Sequence, residues 1–275
     1  MELGWLLIAV AIAVLVALAL QQLRSASRPP ARRPVQPRLP VVLAHGFLGF
    51  DEIEVGASKH LYFRGIGAHL EKLGAQVYSP RVPPASSISA RAQRLADLIR
   101  ALPEPRVNIV AHSMGGLDAR YAISRLGLAP RVASLTTIGT PHQGTPLADA
   151  GHALFGRITR LLRRIIDLSA FGDLTMAGMA RFNAEVPDSP DVAYASVIGQ
   201  SRKRKTNPLL WPSHLYLAEM SGPNDGVVPA ASQRRGDVIR EIEADHWAQI
   251  GWWPREFDAA SLYEEILREL SGRGF

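Results

Sequence analysis

The chain has 275 residues, enough for one large domain plus a short appendage. Apolar residues make up 47%, which argues against a disordered chain, and the absence of cysteine excludes disulfides, thiolate metal sites and a cysteine nucleophile. The net charge of +6 suits an anionic membrane, nucleic acid or no specific partner. No arginine-rich recognition helix, zinc-finger spacing or RNP-like strand is present, so no nucleic-acid partner is expected.

Leu3 to Leu20 is an uncharged apolar run without a polar face, near the minimum length for a membrane-spanning helix. Residues 1–20 are read as a single N-terminal membrane anchor. A cleaved signal peptide with secretion is the rival, because Ala17-Leu18-Ala19 offers a small-residue cleavage site, although no Lys or Arg precedes the run. Residues 21–39 are rich in Pro and Arg and read as an extended linker whose arginines can rest on anionic headgroups. The positive-inside rule would place that linker on the cytoplasmic side; the side of the membrane is left open.

From residue 40 to 275, strand-like and helix-like stretches alternate. Pro40–Ala44 reads as a buried strand. Leu61–Leu73 reads as a helix stopped by Gly74, and Gln76–Tyr78 as a strand. Ser89–Leu102 is helical and stops before Pro103. Arg106–Ala111 is a strand, Met114–Leu126 a helix ending at Gly127, and Val132–Ile138 a strand. His152–Leu168 is a basic amphipathic helix, with Leu154, Ile158, Leu161, Leu162, Ile165 and Ile166 among four arginines, and reads either as a cap helix packed on the core or as a lid that opens against a lipid surface. Asp191–Ile198 and Val238–Glu243 are strands, and Ser261–Leu270 is a closing helix. Repeated strand-then-helix order predicts an α/β domain with a mostly parallel sheet flanked by helices.

Ala111-His112-Ser113-Met114-Gly115-Gly116 lies between a strand and a helix. Small residues two before and two after a serine permit a tight turn that lifts its hydroxyl above the sheet edge. Ala111 stands where the usual pattern has glycine, one methyl more. The turn aims the Met114 N–H at a reacting carbonyl. His45-Gly46-Phe47 follows the first strand, and Phe47 is the expected second oxyanion donor. An ordinary glycine turn is the plain alternative there.

A serine nucleophile needs a base, and the base needs a carboxylate. His246 is the histidine that follows the late acids. His45 and His112 sit inside the two motifs and are expected to pack or hydrogen-bond there. Asp225 lies in the turn-rich loop Gly222-Pro223-Asn224-Asp225-Gly226; Asp188, Asp191, Asp237 and Asp245 are rivals. Asp245 adjoins the histidine, so its side chain should diverge from the ring.

These residues resemble the bacterial triacylglycerol lipases of the α/β-hydrolase fold. The resemblance runs from about Pro40 to Trp253. It rests on Val42–Gly49, Tyr62–Ile66, Gly74–Tyr78, Val107–Ser113, Ile138–Gly144, Ala180–Asn183, Asn224–Val228 and Asp245-His246-Trp247. It implies a serine ester hydrolase acting on lipid esters through Ser113, His246 and Asp225, with a helical lid inserted at about 143–182. A phospholipase or acyltransferase on the same fold, or a membrane-tethered lipid-binding protein without catalysis, are the alternatives. Many family members hold a structural calcium beside the catalytic histidine. Here the position two after His246 is Ala248, and no aspartate occurs around Trp211–His214, so no metal and no cofactor are expected. The run Ser201–Lys205 is a second basic segment, read as a solvated surface or as a contact with a lipid membrane. Oligomeric state is left open.

Overall fold

The computed structural model describes residues 37–47, 53–55, 58–60, 62–84, 86–157, 172–252 and 257–275. The expected N-terminal anchor and nearly all of the linker lie outside them. Among the described residues no helix is long and apolar enough to cross a membrane. The described residues all belong to the unit Val35–Phe275.

Strands β1 (Val41–Ala44), β4 (Val77–Tyr78), β5 (Val107–His112), β6 (Val132–Ile138), β7 (Ala193–Gln200) and β8 (Asp237–Glu243) form one sheet in the order β4-β1-β5-β6-β7-β8. Every pairing in it is parallel. A separate antiparallel pair, β2 (Ile53–Val55) with β3 (Ser58–His60), lies between β1 and the first helix in sequence. That pair has no counterpart among the sequence expectations.

Helices α1 (Ile66–Lys72) and α7 (Ala259–Gly272) cover one face of the sheet; α2 (Ile88–Arg100) and α3 (Gly115–Arg125) cover the other. Along a strand, successive side chains serve opposite faces. Val41 and Leu43 pack with Leu70 and Ile266, whereas Val42 and Ala44 pack with Leu95 and Ile99. Burial on both faces is why these strands read as continuous apolar runs. Helix α1 starts five residues later than expected, after Gly65 in the left-handed region at φ 70°. Such a residue breaks helical continuation.

Two helices have no counterpart in the sequence pattern, α5 (Met176–Glu185) and α6 (Trp211–Ser221). The expected basic helix at 152–168 corresponds in part to α4 (Pro146–Arg157), which begins six residues earlier; residues 158–171 lie outside the described residues.

Strand β1 has β4 on one side and β5 on the other. The connections after β1 and after β5 therefore leave the sheet in different directions. A crevice opens at such a reversal beyond the carboxyl ends of the strands, the usual position of a ligand site in an open parallel sheet.

Candidate active site

Ser113 lies at that reversal, at the end of β5. Its φ is 56°, the one positive value at a non-glycine position among the described residues. A left-handed non-glycine residue costs roughly 1–2 kcal/mol, so its surroundings must impose it. Ser113 N–H donates to Ile138 O at 2.9 Å, and its carbonyl accepts from Thr140 Oγ1 at 2.8 Å and from Gly116 N at 3.1 Å. Three neighbouring glycines have no room for a side chain. A Cβ on Gly115 would stand 2.5 Å from Ala44 O, one on Gly116 2.4 Å from Thr140 Oγ1, and one on Gly46 2.6 Å from Ser113 Cβ. Ala111 fits the turn fully buried, so the extra methyl is accommodated. The sequence pattern anticipates the small residue at Gly115; Gly116 proves equally constrained.

Met114 caps α3 at its N-terminal end, with its side chain buried. Helix geometry leaves the first N–H groups without intrahelical acceptors. Phe47 lies after β1, packed against the cluster of Ile88, Met114, Leu117 and Met179. Its loop is held by a fully buried arginine that no sequence motif marks. Arg91 donates to His45 O at 2.7 Å, Gly46 O at 3.2 Å and Pro83 O at 2.6 Å, and pairs with Asp118 at 2.8 Å. A trans peptide holds C=O and N–H in opposite directions. Anchoring the Gly46 carbonyl on Arg91 therefore turns the Phe47 N–H away from Arg91. Burial pushes the Asp118 carboxyl up to about 7, against the opposing pull of Arg91. His45 donates Nδ1–H to Gly46 O at 3.0 Å and accepts from Val82 N at 3.3 Å, which is the packing role expected of it.

Asp225 and His246 are brought together from loops after β7 and β8. His246 Nδ1 lies 2.8 Å from Asp225 Oδ2, and both residues are buried. The carboxylate is fully buried but well supplied with donors. Oδ1 accepts from the N–H of Val227 and Val228 at 2.9 and 2.7 Å; Oδ2 also accepts from Gln249 Nε2 at 3.0 Å. Hydrogen bonds to the ionised form offset its desolvation. The rival Asp245 is engaged elsewhere, accepting from Asn207, Trp247 and Ala248 N–H groups. Asp188 pairs with Arg235 and Asp237 with Arg273.

The ring of His112 lies 4.5 Å from that of His246, so the histidine loop reaches the residue preceding Ser113. His112 belongs to a buried chain of hydrogen bonds. Tyr62 O–H donates to His112 Nδ1 at 2.7 Å; His112 Nε2–H donates to Gln249 Oε1 at 3.2 Å; Gln249 Nε2–H reaches Asp225. Burial, reinforced by the neighbouring His246, holds His112 well below the usual histidine range, so it stays neutral. Gln249 is accommodated because positions 139 and 199 are glycine. A Cβ there would stand 2.3 and 2.1 Å from its amide atoms. Nothing in the sequence marks Gln249 except its place three residues after His246.

A calcium ion does not fit beside His246. Ala248 offers no side-chain oxygen, and Asp245 is already engaged by three backbone N–H groups, one of them from Asn207 in the segment before α6. Among the described residues no group of three or more His, Asp or Glu is placed to hold a metal.

A parallel sheet with a serine at a strained strand-to-helix turn, and a buried His–Asp pair that reaches that turn at the reversal of strand order, defines an α/β-hydrolase. Residues 40–160 match the family model described as alpha/beta hydrolase fold. The chain is 30% identical to a triacylglycerol lipase of Vibrio cholerae, covering 87% of this chain and 89% of that protein. It is 29% identical to triacylglycerol lipase 2 of Saccharomyces cerevisiae, covering 87% and 93%. A metagenomic carboxyl esterase has a similar fold, with a TM-score of 0.71 at 21% identity over 90% of this chain and 80% of the other. The chain belongs to the triacylglycerol lipase family of α/β-hydrolases.

Proposed function

We propose that the protein hydrolyses lipid esters through an acyl-enzyme formed on Ser113. Ser113 Oγ attacks the ester carbonyl while His246 Nε2 takes its proton; the same proton then passes to the departing alcohol oxygen. Water attacks the acyl-enzyme with His246 again as base, releasing the carboxylic acid and restoring the serine. Asp225 holds Nδ1–H and stabilises the imidazolium. Backbone N–H groups of Phe47 and Met114 receive the developing oxyanion. The observation that carries this reading is the 2.8 Å His246–Asp225 bond, together with a serine whose backbone is held at φ 56° at the head of a helix.

A lipid acyl group suits the apolar surroundings. Met114, Leu117, Ile88 and Met179 cluster next to the nucleophile, with Phe47, Leu174 and Phe182 on their edge. The insertion at about 143–182 is the proposed lid. Within it, Thr145 N–H donates to Leu174 O at 3.1 Å, and Thr145 Oγ1 donates to Val227 O at 2.8 Å. The apolar run at residues 3–20 is proposed to keep the enzyme at a membrane.

The test is Ser113→Ala. Hydrolysis of p-nitrophenyl esters should fall by roughly four or more orders of magnitude with the circular dichroism spectrum unchanged. Retained turnover in that variant rejects Ser113 as nucleophile. Phospholipase and acyltransferase readings are separated by a panel of triglycerides and phospholipids, with and without an added alcohol acceptor.

A further inference from the structure

Among the described residues, few large apolar side chains are exposed, and three of them fall within seven positions. Leu209 is 77% exposed, Leu215 48% and Trp211 39%. Trp211 and Leu215 are one turn apart on α6, and Leu209 belongs to the short 3-10 turn that leads into it. The basic turn Lys203–Lys205 is joined to this face. Lys203 Nζ stands 5.4 Å from the Trp211 ring centre, and Trp211 Nε1 donates to Thr206 O at 2.9 Å. Glu243 pairs with Arg202 and Lys205. Lys203 and Arg204 are exposed; Lys203 reaches Trp211, and Arg204 follows it in the same turn, where its charge is felt by Glu243. The helix also carries an exposed carboxylate, Glu219, two turns beyond Trp211.

We propose that Leu209, Trp211 and Leu215, flanked by Lys203 and Arg204, form a seat for an anionic lipid bilayer. The occupant follows from the chemistry of the patch. A partly exposed indole, apolar tips and adjacent cations match the acyl boundary and the headgroup layer of such a surface. The patch is also tied to the candidate active site. Asn207 N–H donates to Asp245 Oδ2 at 2.7 Å beside His246, and Ser213 Oγ donates to Gly226 O at 2.6 Å beside Asp225. Leu210 packs against Gly226, where an added Cβ would meet it at 3.1 Å. Seating the patch therefore sets the loops of Asp225 and His246 at a defined place relative to the lipid. The proposal deepens the lipid-ester reading and rests on it for its purpose, but the binding is measurable without turnover.

The experiment uses the full chain carrying Ser113→Ala, so that vesicles are not consumed. Tryptophan quenching by brominated phosphatidylcholine is recorded with and without phosphatidylglycerol, and the Trp211 signal is taken as the difference from a Trp211→Phe chain. Trp211 should be quenched on vesicles containing phosphatidylglycerol, and quenching should weaken in salt. Lys203→Gln with Arg204→Gln should raise the lipid concentration needed by about fivefold per charge. In the otherwise unaltered chain, Leu209→Ser with Leu215→Ser should leave hydrolysis of a soluble ester unchanged and slow hydrolysis at anionic vesicles. An unquenched Trp211 on anionic vesicles overturns the proposal, even if another segment holds the chain there. So does a lipid-free dimer that Leu209→Ser with Leu215→Ser dissolves, since the occupant would then be a second copy. Quenching without any ester hydrolysis would reject the enzymatic reading and leave the surface standing.

Discussion

The amide of Gln249 joins the carboxylate of Asp225 to the ring of His112, and none of the three residues is exposed. Gln249→Ala leaves Ser113, His246 and Asp225 in place but removes one donor from a buried anion. A hydrogen bond to a charged group contributes about 1.5–3 kcal/mol, so kcat for a soluble ester should fall roughly tenfold to hundredfold. KM should move little, because Gln249 is fully buried and both ends of its amide are engaged by Asp225 and His112. Gly199→Ala should reproduce the loss, since its Cβ would stand 2.1 Å from Gln249 Nε2. Steady-state kinetics on both variants check this, and an unchanged kcat in Gln249→Ala would mean the amide only fills space. Ser113, Asp225, His246, Phe47 and Met114 stand out in the sequence because turn and strand context restricts what can occupy those positions. Gln249 and Arg91 do not, because the bonds that give them a role reach distant segments. Gln249 is 24 positions from Asp225 and 137 from His112, and Arg91 is 46 from the His45 carbonyl it holds.

Between elements, the contact of α3 with β1 decides whether the turn at Ser113 can form. Gly115 has the carbonyls of Ala44 and His45 where a methyl would go, at 2.5 and 2.7 Å. Both are backbone atoms and cannot swing aside. Gly115→Ala should therefore cost about 1–3 kcal/mol in urea unfolding and lower activity as well, because the helix must shift at the serine. Gly67 in α1 is the contrast. A methyl there meets nothing nearer than Val77 Cγ1 at 3.9 Å. Gly67→Ala should stabilise the chain by about 0.4–1 kcal/mol through the unfolded state. Equal effects of the two substitutions would contradict the packing described.

Across the folded unit, acid sensitivity should follow from buried histidines. Burial holds both His112 and His142 well below the ordinary histidine value of 6.5, with His246 adding to the effect at the first and Arg120 at the second. Below pH 6.5 the unfolded chain binds protons that these folded rings refuse. The stability they contribute is present above that pH and is lost as pH falls toward their folded values, by about 1.4 kcal/mol per pH unit for each ring. His142→Gln should reduce the slope of unfolding free energy against pH by a fraction of a proton at 6.5, rising toward one proton as pH falls further. Parallel slopes for the two chains would show that His142 titrates normally.

Residue order alone dictated the layered α/β plan, the succession of its sheet strands along the chain and the places where tight turns must fall. Long apolar runs bounded by turn residues favour strands buried on both faces, and glycines at turns leave few alternatives for the backbone. Helices α5 and α6 escape such patterns. Helix α6 exposes Trp211, Leu215 and Met220 and so lacks the polar face that periodicity detects. Only packing in three dimensions selected which amide supports Asp225 and which arginine holds the loop of Phe47. Those choices depend on where a donor or acceptor ends up after distant segments pack, and residue identity does not encode that position.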